Sequence, residues 1–288
     1  MPHKIDITHP EKILYPSLNL SKEKIIEFYQ EISPYLLPHL KHRPIVLQRF
    51  TEGVEKEGFF QQEIPDYYPD WMKGISVERK EKGTQKMLEV HTKTALKYVV
   101  NQDGICFHTW LSQKGHLDKP DYIVYDLDPS GNDFSSVVEV AYLFKEEVEK
   151  LKGTPFVMTT GSAGLHVMIP IKVEYTFDKN RELAKKLAEK IVKKHPDKVT
   201  TNVRKDQREG KIFLDYLRNS YGQTTISPYS LRAKENAPIA TPLEWEELSD
   251  SSLNSQTYTI KNILKRLSQK EDPWKQIARS HCSIENLL

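Results

Sequence analysis

The hydrophobic positions of the chain follow two periods, one typical of helices and one typical of strands. Apolar residues spaced three and four apart predict helices at 21–32, at 133–150 and from Asp178 through Ile191. Short apolar runs predict strands at 45–50, within 75–100, and at 156–160, 165–171 and 211–217. Because the two kinds of element alternate, we expect a mixed α/β (α+β) fold with a sheet region flanked by helices.

Local signals set the expected ends of these elements. Ser21 is a suitable N-cap for the first helix, and Asp178 is one for the third. We expect the first helix to end near Pro34, because proline cannot donate a helical hydrogen bond. The segment after Pro242 is helical in character. Since no segment is rich enough in Pro, Gly or Ser to be a linker, we expect one compact domain over residues 1–288, of one or two lobes.

The composition indicates a soluble protein of enzyme size. With 38% hydrophobic and 28% charged residues, the 288-residue chain can form both a core and a well-solvated surface. Its apolar runs are too short to span a membrane, and residues 1–12 lack the apolar segment of a secretory signal. Cys106 and Cys282 have no metal-binding spacing, which favours a reduced, cytoplasmic protein. The net charge of +2 neither requires nor excludes nucleic acid.

Residues 121–130, DYIVYDLDPS, combine a strand pattern with two acids. Side chains at i and i+2 share one face of a strand, so Asp126 and Asp128 would stand roughly 6–7 Å apart. A divalent cation such as Mg²⁺ or Mn²⁺ relieves the repulsion between such carboxylates, because these ions prefer hard oxygen ligands. An isolated pair of this kind also fits two strand-end aspartates that face water.

A third acid, Asp215, interrupts the apolar strand KIFLDYL. If this strand lies beside the strand that contains Asp126, three carboxylates converge, which is enough to hold two cations for phosphoryl transfer. A chance pattern is the alternative, since a strand with one outward-facing aspartate is common.

The segment between these strands, TTGSAGLHVMIP, contains a tight turn of small residues. We expect the turn to expose backbone N–H groups to a phosphate, with the Ser162 hydroxyl and the His166 imidazole beside it. A plain hairpin with a strand histidine fits the same residues. His108, in ICFHTW, allows the same two interpretations.

Taken together, four motifs resemble the polymerase domain of bacterial DNA ligase D, which belongs to the archaeo-eukaryotic primase superfamily. The motifs are DLDP, TGSAGLHV, FLDYLRN and SPYSLRA, and further similar blocks, including EKILYP, RFTEGVEKEGFFQQ and PLEWEEL, cover essentially the whole chain. The resemblance implies a palm-like sheet that carries the carboxylates. It also implies a template-dependent nucleotidyltransferase that adds nucleotides, preferably ribonucleotides, to 3′ ends at DNA breaks and gaps during non-homologous end joining.

The resemblance assigns catalytic and nucleotide-binding roles by position. Asp126, Asp128 and Asp215 would be the catalytic residues and would hold two divalent cations, Mn²⁺ or Mg²⁺. The residues that match nucleotide-binding positions of the family are Arg49, His108, Ser162, Gly164, His166, Arg232 and Lys234.

The resemblance also implies contacts with DNA and with other proteins. Phe60 matches an aromatic residue on which a template base stacks. Lys12 and Lys22 match basic residues that grip a downstream 5′-phosphate at a DNA end or gap. The implied partners are nucleoside triphosphates, the end-binding protein Ku and a DNA ligase.

The chain departs from the family pattern at three positions. Gln48 stands where members usually have lysine, Ala163 replaces the lysine of the turn, and Lys234 replaces an arginine. Lysine keeps the positive charge but lacks the bidentate fork of arginine. These changes leave the metal ligands intact and bear on triphosphate affinity and ribonucleotide preference.

Two other functions stay open at this point. A primase or terminal transferase outside end joining would share the metal site, and a non-catalytic DNA-end-binding scaffold would share the basic residues. Lys12 and Lys22 favour end joining, because a grip on a 5′-phosphate serves gap filling. The three aspartates favour catalysis, because a pure binder gains nothing from carboxylates near phosphates.

Overall fold

The computed structural model of the protein describes residues 3–79, 83–129, 131 and 133–287. The chain forms two compact units, each assembled from three segments. The first unit contains the chain up to Lys114, Thr224–Ala240 and Tyr258–Lys270. The second unit contains Gly115–Gln223, Thr241–Thr257 and the chain from Glu271. The prediction of one domain over 1–288 stays a prediction.

Over the described residues the chain forms five α-helices and fourteen strands. The helices are α1 (Lys22–Leu40), α2 (Lys93–Asn101), α3 (Phe134–Lys150), α4 (Phe177–Lys194) and α5 (Ile263–Gln269). The strands are β1 (Ile13–Tyr15), β2 (Leu20–Ser21), β3 (Ile45–Arg49), β4 (Phe59–Gln61), β5 (Gly74–Arg79), β6 (Gly83–Leu88), β7 (Gly104–Thr109), β8 (Tyr122–Asp128), β9 (Phe156–Thr159), β10 (Leu165–Pro170), β11 (Val199–Thr200), β12 (Ile212–Asp215), β13 (Thr225–Ile226) and β14 (Thr241–Leu243). The mixed α/β class is confirmed.

The first unit is built on a sheet in the order β13-β7-β3-β6-β5, with β4 paired to β3 and a separate β1-β2 ladder. Helix α1 packs against α2 and against β7, which lies between β13 and β3. Tyr29 of α1 makes an edge-on ring contact with Phe107 of β7 at 5.2 Å, and its hydroxyl donates to the carbonyl of Ile105. Strand β5 ends at Arg79 and β6 begins at Gly83, and residues 80–82 lie outside the described residues.

Helix α1 continues to Leu40, so the prediction that it ends near Pro34 is wrong. Both Pro34 and Pro38 lie inside the helix. Residue 34 cannot donate to the carbonyl of Gln30, but the Ser33 hydroxyl donates to that oxygen at 2.7 Å and satisfies it. The apolar face of the helix stays buried as far as Leu40, so tertiary packing outweighs the local cost of proline.

The region 75–100 is not made of strands throughout, because its last part forms α2. The Thr92 side chain caps this helix by accepting a hydrogen bond from the Ala95 N–H at 3.1 Å. The buried positions repeat at four-residue spacing as Ala95 and Leu96, then Val99 and Val100. Valine favours strands, but burial of this helical face overrides that propensity.

The predicted caps of two helices have different outcomes. The Ser21 side chain caps α1 by accepting from the Lys24 N–H at 3.4 Å, as predicted. Asp178 does not cap α4, because the N-cap is Thr176 and the buried Phe177 already belongs to the helix. Asp178 lies instead in the first turn, where its charge favours the positive end of the helix dipole.

The second unit is built on a sheet in the order β11-β12-β8-β10-β9-β14, in which only β11 and β12 run parallel. Tyr125 of β8 packs against Phe144 of α3 at 4.4 Å, and its hydroxyl donates to Ala184 O of α4 at 2.9 Å. The helices therefore cover the face of β8 that carries Tyr125. Because side chains alternate along a strand, Asp126 and Asp128 lie on the opposite face.

The segment after Pro242 is only partly helical. It contains short 3₁₀ helices at Trp245–Ser249, Ile277–Arg279 and Ile284–Leu287, in addition to α5. Trp274 is buried, and its indole N–H donates to Val157 O at 3.1 Å. Within the described part of the chain, no helix has both the length and the apolar character needed to cross a membrane.

Candidate active site

Three adjacent strands of the second unit bring Asp126, Asp215 and His166 into one row. On β8, Asp126 pairs with His166 of β10 on one side and with Asp215 of β12 on the other. Asp128, two residues further along β8, pairs with Phe213. All three carboxylates therefore lie on one face of the sheet, because positions i and i+2 share a face and paired residues do too.

The acids have partners that fix their orientation. The His166 Nε2 lies 3.4 Å from the Asp126 Oδ1, and both side chains are nearly buried. The backbone N–H of Leu217 donates to the Asp215 Oδ1 at 2.7 Å. The Arg218 Nε lies 3.9 Å from the other oxygen of Asp215.

The pKa values of Asp128 and Asp215 are raised, first of all by burial. Burial, followed by the negative charge of Asp126, raises the pKa of Asp128 to about 6. Burial also raises the pKa of Asp215, and the hydrogen bond from Leu217 opposes that rise. The acids thus form a partly desolvated cluster in which a cation would be stabilising.

The donor set fits a divalent cation of the Mg²⁺ or Mn²⁺ type, because carboxylate oxygens are hard ligands for these ions. Burial first and the charge of Asp126 second raise the pKa of Asp128, and His166 and Arg208 oppose that rise. As the side chains stand, no three His, Cys, Asp or Glu side chains among the described residues are grouped so that they could hold a metal ion. Cation binding would therefore require side chains to rotate on these strands.

A glycine turn approaches the acids from the β9–β10 hairpin. Gly161 has a positive φ of 64°, which favours glycine. A Cβ at Gly164 would lie 2.0 Å from the carbonyl oxygen of Leu127 and 3.3 Å from the Asp128 Oδ1. Only glycine therefore allows the turn to lie this close to β8.

The amides of this turn are less available than the sequence suggests. The Thr160 Oγ1 accepts hydrogen bonds from the N–H groups of Ser162 and Gly164, both at 3.3 Å. The expectation that the turn exposes its backbone N–H groups is therefore wrong for these two residues. The accessible part of the turn consists of Ala163, which is exposed, and Ser162, which is half-buried.

The sequence reasoning missed Arg208, which lies on the carboxylate face. Its guanidinium is 3.8 Å from the ring centroid of Phe213, the residue paired with Asp128. Hydrogen bonds to the carbonyls of Asn202 at 3.1 Å and Val203 at 3.0 Å hold it there. Its positive charge opposes the rise in the pKa of Asp128. The only sequence signal was a basic run at 204–211, which is usually a solvated loop.

The first unit places Phe60 and His108 on one face of its sheet. Gln48 of β3 pairs with Phe60, and Val46, two residues earlier, pairs with His108. The two rings lie edge to face, with centroids 5.8 Å apart, and Phe60 is 57% exposed. This exposed ring can stack with a nucleobase. Gln48 stands on the same face, so that departure from the family pattern lies beside both rings.

Arg49 lies on the opposite face of β3 from these rings. It pairs with Phe59, and its guanidinium packs over the Phe59 ring at 5.3 Å. Its donors bond to the carbonyl of Gln102 at 2.7 Å, the Gln61 side chain at 2.7 Å and the Tyr67 hydroxyl at 2.9 Å. The structure thus separates Arg49 from His108 and commits its guanidinium to protein oxygens.

Lys12 and Lys22 meet at a single carboxylate. Their ammonium groups each lie 2.9 Å from a different oxygen of Asp103. Lys22 also donates to Asn101 O at 3.0 Å and is only 2% exposed. A phosphate that binds both lysines would therefore compete with Asp103.

Arg232 and Lys234 lie on a loop that the bridge between Leu231 and Ile239 closes. Arg232 is half-buried, and its carbonyl accepts a hydrogen bond from the Tyr15 hydroxyl at 2.9 Å. Lys234 is exposed. Among the predicted site residues, the first unit holds Lys12, Lys22, Arg49, Phe60, His108, Arg232 and Lys234, and the second holds Asp126, Asp128, Ser162, Gly164, His166 and Asp215.

Comparison with known proteins extends these observations. Residues 21–274 match the sequence profile of the family described as LigD, primase-polymerase domain. The multifunctional non-homologous end joining protein LigD of Mycolicibacterium smegmatis is 30% identical over 272 residues, which are 93% of this chain and 35% of that protein. The bifunctional non-homologous end joining protein LigD of Bacillus subtilis is 31% identical over 279 residues, which are 96% of this chain and 44% of that protein. The chain therefore spans less than half the length of these relatives.

A solved structure is similar over nearly the whole chain. The polymerase domain from Mycobacterium tuberculosis ligase D, in complex with DNA, matches with a TM-score of 0.89 at 26% identity. The match covers 97% of this chain and 99% of that one.

Proposed function

Because the chain belongs to the LigD primase-polymerase family, whose members are DNA-directed nucleotidyltransferases, we propose that it adds nucleotides to 3′ ends of broken or gapped DNA during non-homologous end joining. The observation that carries this proposal is the row of carboxylates on β8 and β12, with a glycine turn beside it. The names of the relatives support end joining, and the DNA in the similar solved structure supports a nucleic-acid substrate.

We assign two divalent cations, Mn²⁺ or Mg²⁺, to Asp126, Asp128 and Asp215; when bound, they would activate the primer 3′-hydroxyl and neutralise triphosphate charge. The chain's own residues hold this arrangement in place. His166 orients Asp126, and the N–H of Leu217 orients Asp215.

For the nucleotide, we assign a phosphate contact to the Ser162 hydroxyl, which lies with the acids in the second unit. Arg232, Lys234 and His108 match nucleotide-binding positions of the family, and their roles stay predictions from that resemblance. A preference for ribonucleotides belongs to this proposal. Arg49 has the least support, because its donors already bond to protein oxygens.

For the DNA, we assign template stacking to Phe60 and the 5′-phosphate to Lys12 and Lys22. Stacking of one base on an exposed aromatic ring contributes about 1–3 kcal/mol. We further propose that the protein acts in the cytoplasm with Ku and a DNA ligase, because the relatives it resembles are named as non-homologous end joining proteins.

Isosteric replacement of the acids tests the catalytic assignment. We expect Asp126→Asn and Asp128→Asn each to reduce primer extension on gapped DNA, with Mn²⁺ and ribonucleotides, by about 1,000-fold or more. Thermal stability should not fall in Asp128→Asn, because the amide removes a charge that burial and the neighbouring Asp126 both disfavour. Asp197→Asn, at an exposed position, is the matched control and should extend primers like the wild type. Full activity in both site variants would refute the assignment.

The end-joining role depends on recognition of a 5′-phosphate. We expect tighter binding to gapped DNA that carries a downstream 5′-phosphate than to the same DNA without it, because Lys12 and Lys22 place two ammonium groups close together and a phosphate can replace the Asp103 carboxylate between them. Lys12→Ala should abolish this difference and reduce the slope of log affinity against log salt by about 1. Equal affinity of the wild type for both DNAs would contradict end joining and favour a polymerase that works elsewhere.

A further inference from the structure

The glycine turn is held by residues from a distant part of the chain. The Ser255 hydroxyl donates to Gly164 O at 2.9 Å, across 91 positions of sequence. The Gln256 side-chain amide donates to Ser162 O at 2.8 Å, across 94 positions. The carbonyls on either side of Ala163 therefore accept hydrogen bonds from two neighbouring residues of one segment, and Gly164 O also accepts from the N–H and the hydroxyl of Thr160, both at 3.1 Å.

Thr160 completes the same network from the base of the turn. Its Oγ1 lies 3.1 Å from the Ser255 Oγ and accepts from the N–H groups of Ser162 and Gly164. Ser162 and Gly164 are thus each held at both N–H and C=O. Ser255 is only 3% exposed, so its hydrogen bonds lie in a region of low dielectric, where they are strong.

The segment that supplies these contacts is rigid in its own right. The Asn254 side chain accepts from the Gln256 N–H at 2.8 Å, and the Thr257 hydroxyl oxygen accepts from the Asn254 N–H at 2.8 Å. The Thr257 N–H closes the turn by donating to Asn254 O at 3.2 Å. Gln256 therefore extends from a turn that its own hydrogen bonds close. We call residues 254–257 the brace.

The braced turn lies directly against the acids. A Cβ at Gly164 would contact Leu127 O and the Asp128 carboxylate, so any shift of the turn changes its distance from Asp128. Resting on the proposed function, we propose that Ser255 and Gln256 are positioning residues of the nucleotide site. They hold Ser162 at a fixed distance from Asp128, so that a bound triphosphate is correctly placed relative to the acids.

A purely structural role for the brace predicts something different. Loss of a structural hydrogen bond lowers thermal stability and affects every activity alike. Loss of a positioning contact weakens nucleotide binding selectively, because the acids and the DNA-binding residues stay in place. The Michaelis constant for the nucleotide, compared with kcat and DNA affinity, separates the two roles.

Two variants remove the contacts with little change of shape. Gln256→Met keeps the length of the half-buried side chain without the donor, and Ser255→Ala removes only the hydroxyl. We expect each to raise the KM for ribonucleoside triphosphate about tenfold. The value of kcat should stay within about threefold of the wild type, and affinity for gapped DNA should not change. Tm should fall by no more than about 2–4 °C, because each variant loses a single hydrogen-bonding group.

Matched controls lie in the same unit, away from the turn. Ser249→Ala removes a hydroxyl that bonds locally to Glu246 O at 2.7 Å, and Gln276→Met changes an exposed glutamine. Both controls should keep the wild-type KM. Calorimetric titration with ATP and Mn²⁺, without DNA, gives a second readout and should show weaker binding only in the two brace variants.

The outcomes separate this inference from the function on which it rests. An unchanged KM and unchanged ATP affinity in both brace variants overturn it. A joint fall of Tm, DNA affinity and kcat in both also overturns it, since that is the structural result. If the wild type extends no primer at all, the proposed function fails, and the ATP titration still decides whether the brace positions a nucleotide.

Discussion

Gly164 sets how closely the glycine turn approaches the carboxylate of Asp128. The absence of a Cβ lets the turn rest on the backbone of β8 at Leu127 and beside Asp128. A triphosphate that binds the turn would therefore lie close to the acids without needing contact from a long side chain. The exposed Ala163, where relatives have lysine, leaves this short-range geometry unchanged.

Gly164→Ala tests the requirement for close approach. The added methyl would lie 2.0 Å from a backbone oxygen, well inside contact distance, so the hairpin must move by about 1 Å. We expect kcat/KM for nucleotide addition to fall about 100-fold, as misplacement on this scale commonly produces. Gly131→Ala, where a Cβ meets open space, is the control and should keep wild-type kinetics. Wild-type kinetics in Gly164→Ala would show that the turn does not set the reaction geometry.

Among the elements, β8 is fixed in register by a side chain as well as by its neighbours. The Asn219 carboxamide accepts from the Val124 N–H at 2.9 Å and donates to Val124 O at 2.7 Å. It thereby replaces a paired strand residue just beyond the end of β12. A slip of one residue would turn Asp126 and Asp128 towards the helices, so this clamp protects the arrangement of the acids.

Helices α3 and α4 are joined through a buried carboxylate. Glu147 of α3 is 5% exposed and accepts hydrogen bonds from Lys194 of α4 and from Lys150 of its own helix at 3.1 Å. The hydrogen bond from Lys194 is the first cause that lowers the pKa of Glu147. The folded state therefore favours the charged carboxylate.

The lowered pKa of Glu147 predicts a pH-dependent contribution to stability. A carboxylate with a lowered folded pKa stabilises fully above its unfolded pKa, and this stabilisation is lost as pH falls through the folded value. We expect Glu147→Gln to cost about 1 kcal/mol at neutral pH, with the difference from wild type shrinking as pH falls below about 4.5. Urea unfolding across pH measures it. The exposed Glu146→Gln is the control, and a pH-independent difference for Glu147→Gln would exclude the ion pair as the cause.

At the scale of the whole molecule, local patterns predicted most elements, and contacts distant in sequence decided the exceptions. The period-two pattern correctly placed Asp126 and Asp128 on one face, because alternation is a property of any strand. Pro34 predicted a helix end, but the helix continues because the Ser33 hydroxyl satisfies the carbonyl of Gln30 and the helix face stays buried. The prediction of strands was wrong for 93–101, because burial of one helical face outweighed the strand propensity of its valines.

Candidate site residues could be predicted from the sequence when their residue type indicated a chemical role. They could not be predicted when their role depends on which residues the fold brings together. Three carboxylates in apolar strands pointed to cations, but the pairing of Asp126 with His166 depends on the order of strands in the sheet. Arg208 and Ser255 gave no usable signal, because each acts only through a neighbour brought close by folding. Arg49 directly follows Gln48, which lies on the same face of β3 as His108. Because side chains alternate along a strand, Arg49 lies on the opposite face.

Because the turn and the brace are far apart in sequence, the ribosome synthesises the turn well before the brace. Ser162 and Gly164 are synthesised 91 to 94 residues before the side chains that hold them. At about 5–20 residues per second, this delay lasts roughly 5–18 s on the ribosome. The strands that carry the acids precede the brace too, so a growing chain contains Asp126, Asp128 and Asp215 before the residues that hold the glycine turn. Under our proposal, the ability to position a nucleotide is therefore acquired late in synthesis.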